Sequence, residues 1–159
     1  MESNAQERLK VGQIVQVQIG PVAHGGHFVA RYNGQVIFVR HGITDELVKI
    51  KITSVSSKIA HADVVEVIQP SALRVSPPCQ YAGSCGGCDF QHINISTQRE
   101  LKAQIIKEQF LRIGKMDLAQ LGFDLKVRSV EPADGLHWRT RMDFAVSVNG
   151  KIGFFGARS

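Results

Sequence analysis

The sequence predicts a mainly β protein, in which a small five-stranded OB-like barrel is followed by a cysteine-rich loop and an incomplete α+β unit. Three observations support this fold class. Residues 8–70 contain five short strand-like runs separated by turn signals. Residues 71–95 hold every cysteine of the chain and show no periodicity. Residues 96–159 contain one helical pattern and two or three strand-like runs, which makes a thin, truncated unit.

The five strand-like runs predict a closed barrel. Val15, Val17 and Ile19 alternate with glutamines, as in a half-buried strand. Asn33-Gly34 predicts a hairpin, because a type I′ turn requires positive φ at both positions. The remaining strands are predicted at residues 27–32, 35–40, 47–52 and 63–68. Strands this short bury a core and remove their exposed edges only by closing on themselves.

A helix is predicted after the cysteine-rich loop. Thr97 and Glu100 fit a capping box with Thr97 as the N-cap, and Gly114 marks the C-terminal end. Spacings of three and four predict the buried face, which comprises Leu101, Ile105, Ile106, Phe110 and Ile113. Strands are then predicted at residues 125–131, 142–148 and 151–155, with Asn149-Gly150 as a second hairpin turn.

Composition restricts the class of protein. The chain has 159 residues, of which 43% are hydrophobic, and it has no apolar run long enough to cross a membrane. Its N-terminus is polar and lacks the apolar core of a secretory signal. We therefore expect a cytoplasmic, monomeric protein with no membrane partner. The net charge of +5 suits a polyanionic partner such as RNA, and it suits an ordinary solvated surface equally well.

The three cysteines, Cys79, Cys85 and Cys88, form the motif C-x5-C-x2-C. An odd, clustered set without a secretory signal argues against a disulfide framework and favours a metal or cluster site. An iron–sulfur cluster normally takes four thiolates, and three are present. The spacing leaves other interpretations open. Zinc could be bound by these cysteines with His92, Cys85 and Cys88 could form a redox pair, or the three thiols could carry no ligand.

Candidate RNA contacts occur in both halves of the chain. On a strand, Arg139 and Arg141 would share one face at a spacing suited to neighbouring phosphates, with Trp138 on the other face in the core. The barrel offers further candidates for stacking and phosphate contacts, namely His24, Phe28, Arg31, Tyr32 and Phe38. No phosphate-binding loop, dinucleotide-binding motif or zinc-protease motif is present, and no catalytic nucleophile or base can be assigned.

The order of these parts resembles a known family. Val11-Gly12-Gln13, His24-Gly25-Gly26 and Phe38-Val39-Arg40 resemble a TRAM domain, the small β-barrel attached to RNA-modifying enzymes. Pro78–Tyr81 and Cys85–His92 resemble the cluster signature of the bacterial RNA 5-methyluridine methyltransferases. Residues 138–141 and 153–159 are similar to central-domain strands of that family.

The resemblance implies that the chain is the RNA-binding and [4Fe-4S]-binding N-terminal portion of a SAM-dependent RNA uridine C5-methyltransferase. Cys79, Cys85 and Cys88 would be three cluster ligands, with the fourth cysteine shortly beyond this sequence. Arg139 and Arg141 would lie near a tRNA or rRNA substrate. The nucleophilic cysteine, the base and the S-adenosylmethionine site of the complete enzyme lie outside these residues, so we expect the chain alone to be inactive. The alternative is a stand-alone RNA-binding module with a Cys3His zinc site.

Overall fold

The computed structural model describes residues 8–130 and 134–156, which belong to two compact units. The first unit ends at Arg74 and the second begins at Val75. The first contains five strands, whereas the second contains one helix and a short hairpin. The mainly β fold class is therefore confirmed.

The first unit is an OB-like barrel. Its strands are β1 (Ile14–Gln18), β2 (Phe28–Tyr32), β3 (Gln35–Arg40), β4 (Leu47–Val55) and β5 (Ile59–Gln69). Their spatial order is β1-β4-β5-β3-β2, and β3 and β5 run parallel while the other pairs are antiparallel. Beyond β1, the Gly20 N–H donates to the Val29 carbonyl at 2.7 Å, and the Val29 N–H donates to the Pro21 carbonyl at 2.9 Å. These bonds join the first and last strands of the sheet and close the barrel.

The barrel core follows the alternation of the strands. Val15, Val17 and Ile19 point inward, as predicted, and each is at most 7% exposed. The largest fully buried side chains of the other barrel segments are Phe28, Ile37, Val39, Ile43, Val48, Ile50 and Ile52. The hairpin between β2 and β3 is also confirmed, because Asn33 and Gly34 have φ values of 47° and 80°.

The fifth strand is longer than the sequence pattern indicated. It begins at Ile59 and not at residue 63. Its first four residues include Ala60 and Ala62, which lie in the core at 0% exposure and pair with Ile37 and Val39 of β3. Alanine has a low strand propensity, so the sequence signal for a strand is weak in this part of the chain. The strand forms here because it pairs in parallel with β3.

A buried ion pair fastens the chain after β5 to the barrel. Glu46 is fully buried and accepts hydrogen bonds from Arg74 Nε and Nη2, each at 2.7 Å. It also accepts from the backbone N–H groups of Ser71 and Ile43. Burial alone would raise the pKa of Glu46, but the hydrogen bonds and charge of Arg74, with the two N–H groups, hold it below the ordinary value of 4.5. The ion pair holds the chain after β5 against the barrel, so the first unit extends to Arg74.

The helix of the second unit, α1 (Ile95–Arg112), begins earlier than predicted. Its N-cap is Asn94, whose side chain accepts a hydrogen bond from the Thr97 N–H at 2.9 Å. Thr97 lies inside the helix and is buried, so the prediction of Thr97 as N-cap is wrong. The Asn94 side chain caps the helix three residues earlier, where it satisfies the first free N–H groups of α1. The helix ends at Arg112, close to the predicted stop at Gly114.

The second unit buries less than its sequence pattern predicted. Leu101 and Ala103 are buried on α1, whereas Ile106, Phe110 and Ile113 are 38%, 40% and 76% exposed. The hairpin at Asn149-Gly150 is present but short, with β6 (Ala145–Val146) paired to β7 (Ile152–Gly153). Residues 125–130 form no strand, and the rest of that predicted strand lies outside the described residues. Within the described ranges, no helix combines the length and apolar character needed to cross a membrane.

Candidate nucleic-acid interface and cysteine loop

An aromatic cluster of His27, Phe38 and His61 lies on the outer face of β2, β3 and β5. Phe38 and His61 are paired across the parallel strands β3 and β5, and His27 directly precedes β2. The ring centroids lie 6.2 Å apart for His27–Phe38, 5.7 Å for His27–His61 and 5.6 Å for Phe38–His61. All three residues are partly exposed, so the cluster lies at the surface of the barrel.

Strand alternation fixes the outward direction of this cluster. Ile37 and Val39 flank Phe38, while Ala60 and Ala62 flank His61, and all four are 0% exposed. Side chains between them must therefore point away from the core. The exposed Arg31 belongs to the same outer side of β2, because its neighbour Ala30 is buried.

The cluster lies where OB-like barrels bind single-stranded nucleic acid, which is the face of strands 2 and 3 with the adjoining loops. His24 is exposed in the turn His24–Gly26 that precedes β2. Partly exposed rings can stack on bases, and the guanidinium of Arg31 can pair with a phosphate. The arrangement therefore has the chemistry of a sequence-tolerant RNA surface.

One predicted barrel contact is a core residue. Phe28 is 0% exposed, so its ring packs inside the barrel and is not available to a nucleotide. The prediction did not consider which side of β2 each residue faces. Phe28 lies two residues before the buried Ala30 and therefore faces the core as well. His27 and His61 were missed. Extending the period-2 alternation of β5 back through Ala60 and Ala62 would have identified His61 as outward-facing.

The second group of predicted RNA contacts does not lie on a strand. Arg139 and Arg141 are exposed, and residues 137–144 have no regular secondary structure. The Arg139 guanidinium lies over the ring of Trp138, 5.1 Å from its centroid. Trp138 is 49% exposed, so the expectation that it packs in a core is wrong. This segment offers a cation–π pair and a further arginine to solvent.

The cysteine loop is ordered by backbone hydrogen bonds. The Cys85 N–H donates to the Tyr81 carbonyl at 3.0 Å, and the Gly86 N–H donates to the Phe155 carbonyl at 3.0 Å. A single antiparallel bridge pairs Cys85 with Gly156. The loop is therefore attached to the segment that follows β7, and both belong to the second unit.

The three thiols match a metal or cluster site in donor type only. The Gly87 N–H donates to Cys85 Sγ at 3.3 Å, an amide-to-sulfur contact of the kind that tunes iron–sulfur clusters. Cys79 and Cys85 are partly exposed, and Cys88 is exposed. However, the described residues contain no set of three or more Cys, His, Asp or Glu side chains close enough to hold a metal ion. The four groups of the Cys3His alternative, including the buried His92, are thus not assembled.

Comparison with known proteins gives one family match and many relatives. Residues 8–65 match the TRAM domain. Uncharacterized RNA methyltransferases of Streptomyces coelicolor and Streptomyces avermitilis are 41% and 42% identical over 159 residues, and the matches cover 94% of this chain. The 23S rRNA (uracil(1939)-C(5))-methyltransferase of Halomonas elongata is 34% identical over 141 residues, covering 86% of this chain.

These matches involve only part of each relative. They cover 35% and 37% of the two Streptomyces proteins and 28% of the Halomonas protein. The chain thus spans about a third of the length of the curated relatives it matches. The match extends past the barrel, through the cysteine loop and into α1 and the hairpin.

Proposed function

We propose that this chain, a TRAM-containing member of the RNA methyltransferase family, is the RNA-binding N-terminal portion of a SAM-dependent RNA uracil-C5 methyltransferase. In this proposal the barrel and the cysteine-containing unit hold the RNA. The methyl transfer, including S-adenosylmethionine binding, belongs to parts of such enzymes outside the matched third. The uracil specificity is supported by the Halomonas relative, whose name states that activity.

The observation that carries the RNA-binding proposal is the cluster of His27, Phe38 and His61 on the outer face of the barrel. Clusters of apolar side chains exposed at a protein surface mark interaction sites. Adjacent rings flanked by Arg31 offer stacking surface and a cation together. These are the two elements of single-strand recognition.

RNA affinity tests this proposal. We expect the chain to bind a single-stranded RNA dodecamer in fluorescence anisotropy. Phe38→Ala should weaken that binding about tenfold, the loss of one base–aromatic stack. Arg31→Gln should weaken it less and reduce the salt dependence by about one released counterion. The matched control is Phe110→Ala, which removes an exposed ring from α1, outside the barrel. Equal affinities for Phe38→Ala and wild type would contradict the assigned surface.

We also propose that Cys79, Cys85 and Cys88 supply three of the four thiolates of a [4Fe-4S] cluster. Support comes from the soft donor set and from the Gly87 N–H that already contacts Cys85 Sγ. When bound, the cluster would crosslink the three cysteine positions of the loop. This chain's own contribution is three thiolates and the amide donors around them.

Metal and acid-labile sulfide content after anaerobic purification tests the cluster proposal. Iron with sulfide and a brown colour is expected, and Cys85→Ser should lose both. Gln80→Ser in the same loop is the matched control and should retain them. Colourless protein with stoichiometric zinc would contradict the cluster and favour the Cys3His site. In that case His92→Ala should lose zinc.

A further inference from the structure

We propose a second RNA contact at one end of the barrel, a pocket that takes a single unstacked nucleotide together with its phosphate. This inference rests on the proposed RNA-binding function and adds a site separate from the aromatic cluster. The pocket has a volume of about 660 Å³. That volume falls in the range of small-ligand sites, about 300–1,000 Å³.

Two tight turns form the walls of this pocket. One is the β2–β3 hairpin with Asn33 and Gly34, and the other is the β4–β5 turn with Ser56, Ser57 and Lys58. The N-terminal residues Arg8 and Leu9 complete the lining. Leu9 is 4% exposed, so the chain before β1 is packed onto the barrel end.

The walls are held in place before any ligand binds. The Ser56 N–H and Oγ both donate to the Ile59 carbonyl at 2.8 Å, and the Ile59 N–H returns a bond to Ser56 Oγ. The opposite turn is fixed by the positive φ values of Asn33 and Gly34. Binding to a preformed pocket costs little conformational entropy, because the chain is already ordered.

The lining carries the groups that a nucleotide needs. Tyr32 offers a partly exposed ring for stacking, while Arg8 and Lys58 are exposed cations suited to a phosphate. Asn33 and Gln35 add amide groups able to pair with a base edge. Among the described lining residues none is acidic, so the local potential favours an anion.

The pocket and the aromatic cluster are adjacent but distinct. Tyr32 is the last residue of β2 and lies on the same side of the strand as the buried Phe28 and Ala30. Its ring therefore lies at the open end of the barrel. The preceding residue, Arg31, is on the outer face. The two candidate contacts therefore meet at the end of β2, where Arg31 and Tyr32 are consecutive residues.

Titration of the full chain with uridine 5′-monophosphate, followed by amide NMR shifts, tests the pocket. We expect shifts at Asn33, Gly34 and Ser57, with weak affinity. Tyr32→Leu, which keeps an apolar side chain, should abolish them, and Lys58→Gln should weaken binding about fivefold. Lys51→Gln, an exposed lysine on β4, is the matched control. Phe38→Ala should leave this titration unchanged.

The outcomes separate the two proposals. If the chain binds RNA through Phe38 but the mononucleotide shifts no pocket amide, the pocket is overturned and the RNA-binding function stands. If RNA affinity is also unchanged by Tyr32→Leu and Lys58→Gln, the same conclusion follows for longer RNA. A chain that binds no RNA overturns both proposals.

Discussion

Glu46 shows how a single residue fixes where the barrel unit ends. Its two carboxylate oxygens accept four hydrogen bonds, two from Arg74 and one each from Ser71 and Ile43. The Glu46 side chain that accepts these bonds has no solvent exposure. Arg74 also donates to the His41 carbonyl at 2.8 Å, so the ion pair joins three segments of the first unit.

Glu46→Gln should destabilise the barrel by about 3 kcal/mol. The amide replaces one oxygen with an NH2 group, which then faces two hydrogen-bond donors and leaves the Arg74 charge without its counterion. Urea denaturation at neutral pH measures the change. The matched control is Glu66→Gln, which breaks an exposed pair with Lys49 and should cost less than about 1 kcal/mol. Equal effects of the two substitutions would contradict the role of Glu46.

The lowered pKa of Glu46 predicts the direction of a pH effect. A carboxyl whose pKa is lower in the folded state stabilises the fold above its unfolded pKa, and that stabilisation is lost as pH falls through the folded value. The free energy of unfolding should therefore fall with acidification below about pH 4.5. Glu46→Gln should lack this component, so the two stability curves should converge in acid. Parallel curves across this range would contradict the prediction.

At the residue scale, functional candidates could be predicted from the sequence only for residue types with few structural roles, such as cysteine. Three cysteines within ten positions stood out without any structure. Glu46, His27 and His61 did not, because a glutamate or histidine is found in many settings. Their roles arise from contacts between residues far apart in the chain, such as Glu46 with Arg74 and Phe38 with His61.

At the scale of elements, the start of α1 distinguishes two capping schemes. We expect Asn94→Ala to destabilise the second unit by about 1 kcal/mol, because the Thr97 N–H loses its side-chain acceptor. Glu100→Ala should have little effect, whereas a capping box on Thr97 would make Glu100 important. Thermal unfolding followed by helical circular dichroism compares the two. A larger loss for Glu100→Ala would contradict the Asn94 cap.

The seam between β1 and β2 gives a second prediction for an element. A Cβ at Gly20 would lie 2.8 Å from the Val29 carbonyl oxygen, which is backbone and cannot move aside cheaply. Gly20→Ala should therefore destabilise the barrel by about 2 kcal/mol. Gly153→Ala is the control, because its Cβ would meet nothing within 4 Å. Urea denaturation compares the variants, and similar stabilities for the two would argue that the seam does not hold the barrel closed.

Barrel strands with clear local signals were predictable, and elements that depend on tertiary packing were not. β1 matched its predicted position because apolar and polar residues alternate there, and β2 and β3 matched theirs because Asn33-Gly34 marks the turn between them. The start of β5 was missed because Ala60 and Ala62 carry little strand signal. In the second unit, the predicted apolar face of α1 is largely exposed, and the hairpin strands are two residues each. Periodicity alone does not say what covers a face.

At the scale of the molecule, two compact units carry different candidate chemistries. The barrel offers rings and cations for RNA, and the second unit offers three thiols and the Trp138–Arg139 pair. Residues 75–159 carry eleven basic and eight acidic side chains, a net charge of +3, which suits an additional phosphate contact in the second unit. The cysteine loop and the barrel are each internally ordered, so each can be tested by variants in the full chain.

In the proposed complex, RNA lies across the outer face of β2, β3 and β5. Photo-crosslinking of the full chain to single-stranded RNA containing 4-thiouridine, followed by peptide mapping, tests it most directly. RNA bound to this face should give crosslinked peptides that contain His27, Phe38 and His61. Crosslinks confined to β1 and β4, or to the second unit alone, would contradict it.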